Sequence, residues 1–336
     1  MHNKDMTRVR KVGEDFDQYQ WNKIAPHPLV AWEWGEARKK MGIDVMRIGE
    51  FDQDTLTAAF QVTFHPIPFT FFTIGYMPRT TIPSAEVLDL LEVEAKKHQA
   101  LFIKIEPYAP KSEDEIFLKR VVVSPHPLFP KWTQKLDLRL GEDELFMNLK
   151  PKWRYNVRLA QKNGVIVKEM TNQAGFQIFS DLYFQTTQRQ KYRGHNRMYH
   201  HTIFESLKDS MSHILVAYYQ DTPLAAYHLF LFHNILYYPY GGSSLEHRQV
   251  MASNLLMWEA IRFGKRHKAH TFDMWGSLSP DYEMEDGGWA GFTRFKAGYG
   301  TTFVEMIGSY DLVIDQILYK SYNIAHAARS RILKSL

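Results

Sequence analysis

Arg154, Arg158 and Lys162 stand at four-residue intervals in the stretch from Lys150 to Val165, a spacing that stacks three cations on one helix face. Pro151 suits the first turn of that helix and Gly164 its C-terminal cap. No acid interrupts the chain from Leu145 to Lys168. Such a face suits an anionic partner, although a solvated structural face has the same composition. Other chemistries are narrowed by residue type. Cysteine is absent, which removes thiolate nucleophiles, disulfides and thiolate zinc sites. His195, His200 and His201 cluster, but without the acidic ligand pattern that would make a metal site. No nucleophile elbow is present. The acidic run Asp281–Asp286 before Gly287-Gly288 reads as a solvated loop or as a lid.

The elements that position these residues come twice. Gln53-Asp54-Thr55-Leu56-Thr57-Ala58-Ala59-Phe60 is echoed by Gln220-Asp221-Thr222-Pro223-Leu224-Ala225-Ala226-Tyr227, about half a chain length later. Each follows an apolar strand (43–48, then 214–219) and turns into another, which is a hairpin signature. In both halves a helix comes next, at 84–98 and 253–267. Its apolar face is Val87, Leu88, Leu91 and Ala95 in the first copy and Leu255, Trp258, Ala260 and Ile261 in the second. The helices end in Lys96-Lys97-His98 and Lys265-Arg266-His267, cations that suit a helix C-terminus. A short strand then runs to an acid, Glu106 or Asp273. This order is that of the GNAT acyltransferase fold. The expected class is α/β (α+β), with two tandem GNAT-like domains, each a mixed central sheet flanked by helices. Three prolines between Ser124 and Pro130 mark the seam, and a strand at 135–140 and two helical stretches lead into the second copy. The expected domains are 1–130, with 309–336 packing back on it, and 131–308. The amphipathic, basic segment 315–336 is compatible with a membrane surface as well as with that packing.

Four further stretches carry a specific resemblance. His27–Arg38 contains Trp32-Glu33-Trp34. Tyr238-Pro239-Tyr240-Gly241-Gly242-Ser243 ends a strand, and Phe272-Asp273-Met274-Trp275-Gly276 ends another. Gly291–Gly300 contains Phe295-Lys296. With the basic helix, these match in order the Fem peptidyltransferase family, and the resemblance covers nearly the whole chain. Trp275 replaces the first glycine after the acid and Tyr299 replaces a phenylalanine, which puts local loop geometry in question. The helical arm of some members is missing between Phe176 and Ser212.

The resemblance implies transfer of an amino acid from aminoacyl-tRNA to an amino group of a peptidoglycan precursor's stem peptide, with no cofactor. Such transfer passes through a tetrahedral oxyanion and needs a neutral attacking amine. Lys296 is then the oxyanion stabiliser and Phe295 part of the aminoacyl-end pocket. Glu106 orients the amine or accepts its proton, and Tyr240 donates a hydrogen bond. Arg38 and Arg197, with Trp34 and His201, bind the acceptor's diphosphate, and the first domain is the acceptor-binding one. Arg154, Arg158 and Lys162 lie along the tRNA. The acceptor is a UDP-linked or lipid-linked muropeptide, and a monomer is expected.

A CoA-dependent N-acyltransferase is the alternative. Its pyrophosphate loop needs two glycines, where Arg248–Ser253 has Met251 and Ser253. A non-catalytic ligand-binding protein is the other. Residues 1–6 lack the apolar core of a signal peptide, and no uncharged apolar run reaches the ~20 residues of a membrane span. The expected location is cytoplasmic, with peripheral contact at the inner face of the membrane. The net charge of +4 permits a polyanionic partner without demanding one.

Overall fold

The computed structural model describes residues 7–111, 115–190, 194–283 and 288–335; residues 284–286 of the acidic run, and Gly287 after it, lie outside these. The first half runs β1 (Thr7–Val12), α1 (Gln18–Ile24), α2 (Trp32–Lys40), β2 (Asp44–Asp52), β3 (Thr55–Pro66), β4 (Thr73–Pro78), α3 (Ala85–Lys97), β5 (Ala100–Glu106), α4 (Glu115–Arg120) and β6 (Val122–Val123). Next come β7 (Trp132–Asp137), α5 (Glu142–Asn148), α6 (Pro151–Lys162), β8 (Val165–Glu169), α7 (Gln173–Arg189) and α8 (Arg197–Leu207). The hairpin strands β9 (Ser212–Tyr219), β10 (Thr222–Phe232) and β11 (Ile235–Ser243) follow, then α9 (Ala252–Arg266), β12 (Thr271–Asp273), α10 (Gly288–Ala297) and β13 (Thr302–Glu305). The chain ends in β14 (Tyr310–Val313) and α11 (Gln316–Ser335). No described helix is long and apolar enough to cross a membrane.

Two compact units result, Met1–Phe129 with Met306–Leu336, and Pro130–Glu305. Each holds one seven-stranded sheet, ordered β1-β2-β3-β4-β5-β14-β6 in the first and β8-β9-β10-β11-β12-β7-β13 in the second. The two orders match position by position. Four antiparallel strands lead to one parallel pair, β4 with β5 or β11 with β12, crossed over by α3 or α9. The backbone repeats in detail too. The two-residue turns at Gln53 and Gln220 have φ of 54° and 55°, the left-handed twist a tight hairpin requires. After each crossover helix, Gln99 and Lys268 take φ of 53° and 60° and stop the helix in the same way.

The duplication is not a simple concatenation. In each sheet the sixth strand comes from chain that follows the other copy. After β6 forms the edge of its own sheet, the chain places β7 inside the second sheet; after β13, it places β14 inside the first.

Local chemistry sets the element ends. Ser84 caps α3 by accepting from the Val87 N–H at 3.2 Å, and its apolar face packs on β5, whose seven residues are all buried. Pro151 opens α6, and Gly164 follows it at φ 79°. The expected strand at 135–140 is displaced to β7, because the Asp137 carboxylate captures the Arg139 N–H and guanidinium and turns the chain.

Strand β14 carries a charge into the first unit's interior. Asp311 is 1% exposed and accepts from Lys104 Nζ of β5 at 2.9 Å, from Ser124 Oγ at 2.9 Å and from Tyr319 Oη of α11 at 2.9 Å. Lys104 also donates to Ser124. Phe102 meets Tyr319 and Tyr322 edge-on and tilted, at 5.2 and 5.4 Å, which lays α11 on β5. Removing one member of a buried pair strands the other charge. Asp311→Ala is therefore expected to destabilise the first unit by about 3–5 kcal/mol, and Lys104→Met with Asp311→Leu by clearly less. Urea unfolding measures both; a single variant within about 1 kcal/mol of wild type would contradict the account.

Candidate active site

The second unit gathers a buried lysine, a strained turn and a cleft. Strand β12 ends at Asp273, which is 2% exposed and accepts at Oδ1 from Thr133 Oγ1 (2.7 Å) and from the Trp275 N–H (2.8 Å). Those bonds fold Met274-Trp275-Gly276 back on itself. Trp275 sits at φ 70°, a conformation costly for a bulky side chain. Its departure from glycine thus leaves the glycine-like backbone in place, with the ring against Tyr237. The turn aims the Gly276 carbonyl at Lys296 Nζ, 2.7 Å away.

Lys296 lies on α10 and is only 6% exposed. Burial pulls its pKa down to about 8, and the nearby negative charge of Asp273 opposes that shift. The ammonium stands 5.8 Å from the centre of the Tyr238 ring. With one N–H on Gly276, two have no acceptor among the described residues. Phe295 beside it packs on Tyr299 at 5.4 Å, and its carbonyl accepts from Trp153 Nε1 of α6 at 3.0 Å. Gly298 is required here, since a Cβ would fall 2.0 Å from the Trp153 indole. Tyr299 replaces the family's phenylalanine without penalty, because its buried hydroxyl donates to the Asn254 carbonyl at 3.0 Å.

A cleft of about 580 Å³ opens in this unit, lined among others by Phe295, Phe292, Tyr238, Arg189, Arg248 and Ser253. It includes the first turn of α9. Met251, which stands for a glycine, nevertheless takes φ 58°. The loop therefore keeps a glycine-type conformation despite its sequence.

The remaining residues singled out from sequence fall in several places. Tyr240 lies on the opposite face of β11 from Tyr238. The β10–β11 register slips between His228 and Phe230, so Leu229 faces both Tyr238 and Pro239. Tyr238 joins the core with α9, whereas Tyr240 joins Tyr183, Tyr199 and His200 at α7 and α8. Tyr238 is thus the tyrosine near Lys296, and Pro239, an unsuitable mid-strand residue, was the available signal for the bulge. Arg197 and His201 share one face of α8. Arg197 donates to Ser180 Oγ (2.9 Å) and Asp181 Oδ1 (2.8 Å), half-exposed contacts that an incoming phosphate can replace at low cost.

Arg154 is committed elsewhere: it donates to the Met147 and Leu149 carbonyls and caps the end of α5. Arg158 leans over Phe146 at 5.2 Å. The exposed cations of α6 are Lys152, Arg158 and Lys162, with Tyr155 among them.

In the first unit, Trp34 is buried in α2 and Arg38 is half-buried, with Nη1 3.3 Å from Met41 Sδ. Glu106 has both oxygens engaged. Oε1 accepts from the Leu128 and Phe129 N–H groups at 2.7 and 3.1 Å, and Oε2 from Tyr76 Oη at 2.7 Å. Next to it stands Arg79, which sequence reasoning missed. Arg79 is 5% exposed at φ 51°, donates its N–H to the Glu106 carbonyl at 2.6 Å and spreads its guanidinium over Phe129 at 3.9 Å. No periodicity or motif flags such a residue.

His200 is fully buried among Tyr183, Phe184 and Tyr240, and neither ring nitrogen has a hydrogen-bond partner among the described residues. Burial pushes the pKa of His200, and of buried His228, down to about 3. Below an unfolded pKa near 6.5 the unfolded chain takes up protons that the folded one refuses. Stability is therefore expected to fall as pH drops below about 6.5, by up to ~1.4 kcal/mol per pH unit for each histidine. Melting temperature between pH 7 and 5 reports it, and His200→Leu should reduce the slope. A flat wild-type profile would contradict this.

The sequence profile described as FemAB family matches residues 124–221 and 216–327. Lipid II:glycine glycyltransferase of Staphylococcus haemolyticus (strain JCSC1435) is 23% identical over 405 residues, covering 94% of each chain. The protein of that name from Staphylococcus aureus (strain USA300) is 23% identical over 407 residues, again covering 94% of each. Among solved structures, a crystal structure of FemX superposes with a TM-score of 0.80 at 20% identity, over 93% of this chain and 99% of the other. A tandem GNAT protein from the clavulanic acid biosynthesis pathway gives 0.54 at 12% identity, over 91% and 98%. These two likenesses concern the fold. The profile match spans more than half of the chain, and the chain belongs to the FemAB family of aminoacyltransferases.

Proposed function

We propose that this chain transfers an aminoacyl group from aminoacyl-tRNA to a stem-peptide amine of a lipid-linked peptidoglycan precursor. Family membership and relatives named lipid II:glycine glycyltransferase support the substrate pair. The observation that carries the chemistry is Lys296, a buried ammonium held on one carbonyl with its pKa lowered to about 8.

The neutral amine attacks the ester carbonyl carbon, and the carbonyl π electrons move to oxygen. The Lys296 ammonium stabilises that oxyanion from a site with little reorganisation left to make. Collapse restores the carbonyl and expels the terminal ribose oxygen, which takes the proton lost by the amine. In this reading the terminal nucleotide occupies the cleft, with Phe292 and Phe295 against the base and Arg189 and Arg248 near phosphate. In the first unit Arg38, with Trp34, offers a cation to the acceptor's phosphates and Arg79 is a further one; in the second, Arg197, with His201, offers its own. Glu106 acts as a positioning residue, since its oxygens already hold Tyr76, Leu128 and Phe129.

Lys296→Met is expected to lower single-turnover transfer about 100- to 1000-fold while changing either substrate's affinity far less. The wild-type rate should decline above pH 8, as the ammonium deprotonates, and the variant should lack that limb. A near-normal rate in the variant rejects the role.

The exposed cations Lys152, Arg158 and Lys162 suit the tRNA backbone. Neutralising all three is expected to reduce the log–log salt slope of tRNA binding by about 2. Arg154→Gln should instead lower stability through the lost cap of α5. An unchanged slope in the triple variant makes these cations part of a plain solvated face.

A further inference from the structure

We propose that the turn between β3 and β4 is a membrane-docking tip that inserts Phe69 and Phe71 into an anionic phospholipid bilayer. The tip stands on its own geometry and extends the reading of the acceptor as lipid-linked.

Phe69 and Phe71 are 107% and 69% exposed, and their apolar surface meets water directly. The turn that presents them is built rather than loose. The Ile67 N–H donates to the Phe72 carbonyl at 2.9 Å, and the Thr70 N–H to the Ile67 carbonyl at 3.2 Å. Thr70 Oγ1 donates to the Ile67 carbonyl at 2.9 Å and accepts from the Phe72 N–H at 3.1 Å. Phe69 takes φ 65° at the apex, where glycine or asparagine would sit without strain. Folding stability accounts for neither the exposure nor the conformation.

The surroundings fix the occupant. From Pro66 to Pro78 the chain has no Asp, Glu, Lys or Arg. The tip is tied directly to the basic end of α3, since Thr73 donates through N–H to the Gln99 carbonyl (3.0 Å) and through Oγ1 to the His98 carbonyl (2.7 Å). Lys96 and Lys97 are exposed there. Helix α11 begins at the same end of the sheet, where the Ile314 and Asp315 N–H groups donate to the Leu101 carbonyl at 3.0 and 3.2 Å. It adds Ile317, 78% exposed, and exposed Lys320, and the chain from Gln316 onward has no acid. The acids at this end are already engaged. Asp44 pairs with His98 at 2.9 Å, Glu94 with Lys11 and Lys97 at 2.8 and 2.6 Å, and Asp315 caps α11.

Two phenylalanines at the apex of a convex turn bury far less than the ~800 Å² per partner of a stable protein interface. A bilayer accepts point insertion, and the flanking lysines complement anionic headgroups within a Debye length.

Co-sedimentation with phosphatidylcholine vesicles, with and without phosphatidylglycerol, tests this. The wild-type chain is expected to pellet with the anionic vesicles. Phe69→Ser with Phe71→Ser should lose about tenfold or more of the bound fraction. Lys96→Glu with Lys320→Glu should erase the preference for phosphatidylglycerol. Transfer to a soluble nucleotide-linked acceptor should be unchanged in the phenylalanine variant. Absent wild-type binding, or equal binding by the phenylalanine variant, overturns the proposal. So does loss of the soluble reaction, since the tip would then belong to the acceptor site. Failure of the Lys296 assignment would leave the vesicle result as it stands, so the two readings fail separately.

Discussion

A lysine ammonium cannot leave water without a partner, and each unit is arranged around one that has done so. The two are compensated unequally. Lys104 meets a full carboxylate at 2.9 Å, and that carboxylate also receives a serine and a tyrosine. Among the described residues, Lys296 donates to one peptide carbonyl, while Oδ1 of nearby Asp273 is spent on Thr133 and Trp275. Incomplete compensation brings an ammonium's pKa close to neutrality and leaves N–H groups unsatisfied, the state a developing oxyanion would complete. The same chemical group thus meets a carboxylate in one unit and a peptide carbonyl in the other.

Strain falls where these units present something. Apart from the hairpin and helix-end positions, left-handed non-glycine residues include Phe69 at the exposed tip, Arg79 beside Glu106, Met251 at the cleft and Trp275 under Lys296. Glycine would relieve each. That bulky or charged residues hold these conformations means the surrounding contacts over-determine the backbone there.

Much of the fold was legible because its signals are local. The hairpins announced themselves through Gln53-Asp54 and Gln220-Asp221, the crossover helices through their apolar period and basic ends, and α6 through Pro151 and Gly164. Lys296 was visible as part of an ordered motif rather than from its spacing. What stayed hidden depends on contacts between distant residues. The bulge that sends Tyr240 to the far face needs the β10 register, and the commitment of Arg154 needs the end of α5. The saturation of Glu106 needs the loop at Leu128, and the burial of Arg79 needs Phe129. The return of 309–336 to the first domain was expected, but the insertion of β14 between β5 and β6 leaves no local trace.

That insertion fixes an order of events at the ribosome. The first unit's sheet lacks an interior strand until Tyr310–Val313 has been synthesised, so Lys104 has no Asp311 to meet while the whole second unit is being made. The second unit holds all seven of its strands as soon as β13 has emerged. The half that is translated first is therefore the half that finishes folding last, with β5 and β6 waiting apart for β14 to pass between them. Its closure is a contact between residues far apart in sequence, the slow kind to form. A nascent chain stalled before Met306 holds one complete sheet and one open one.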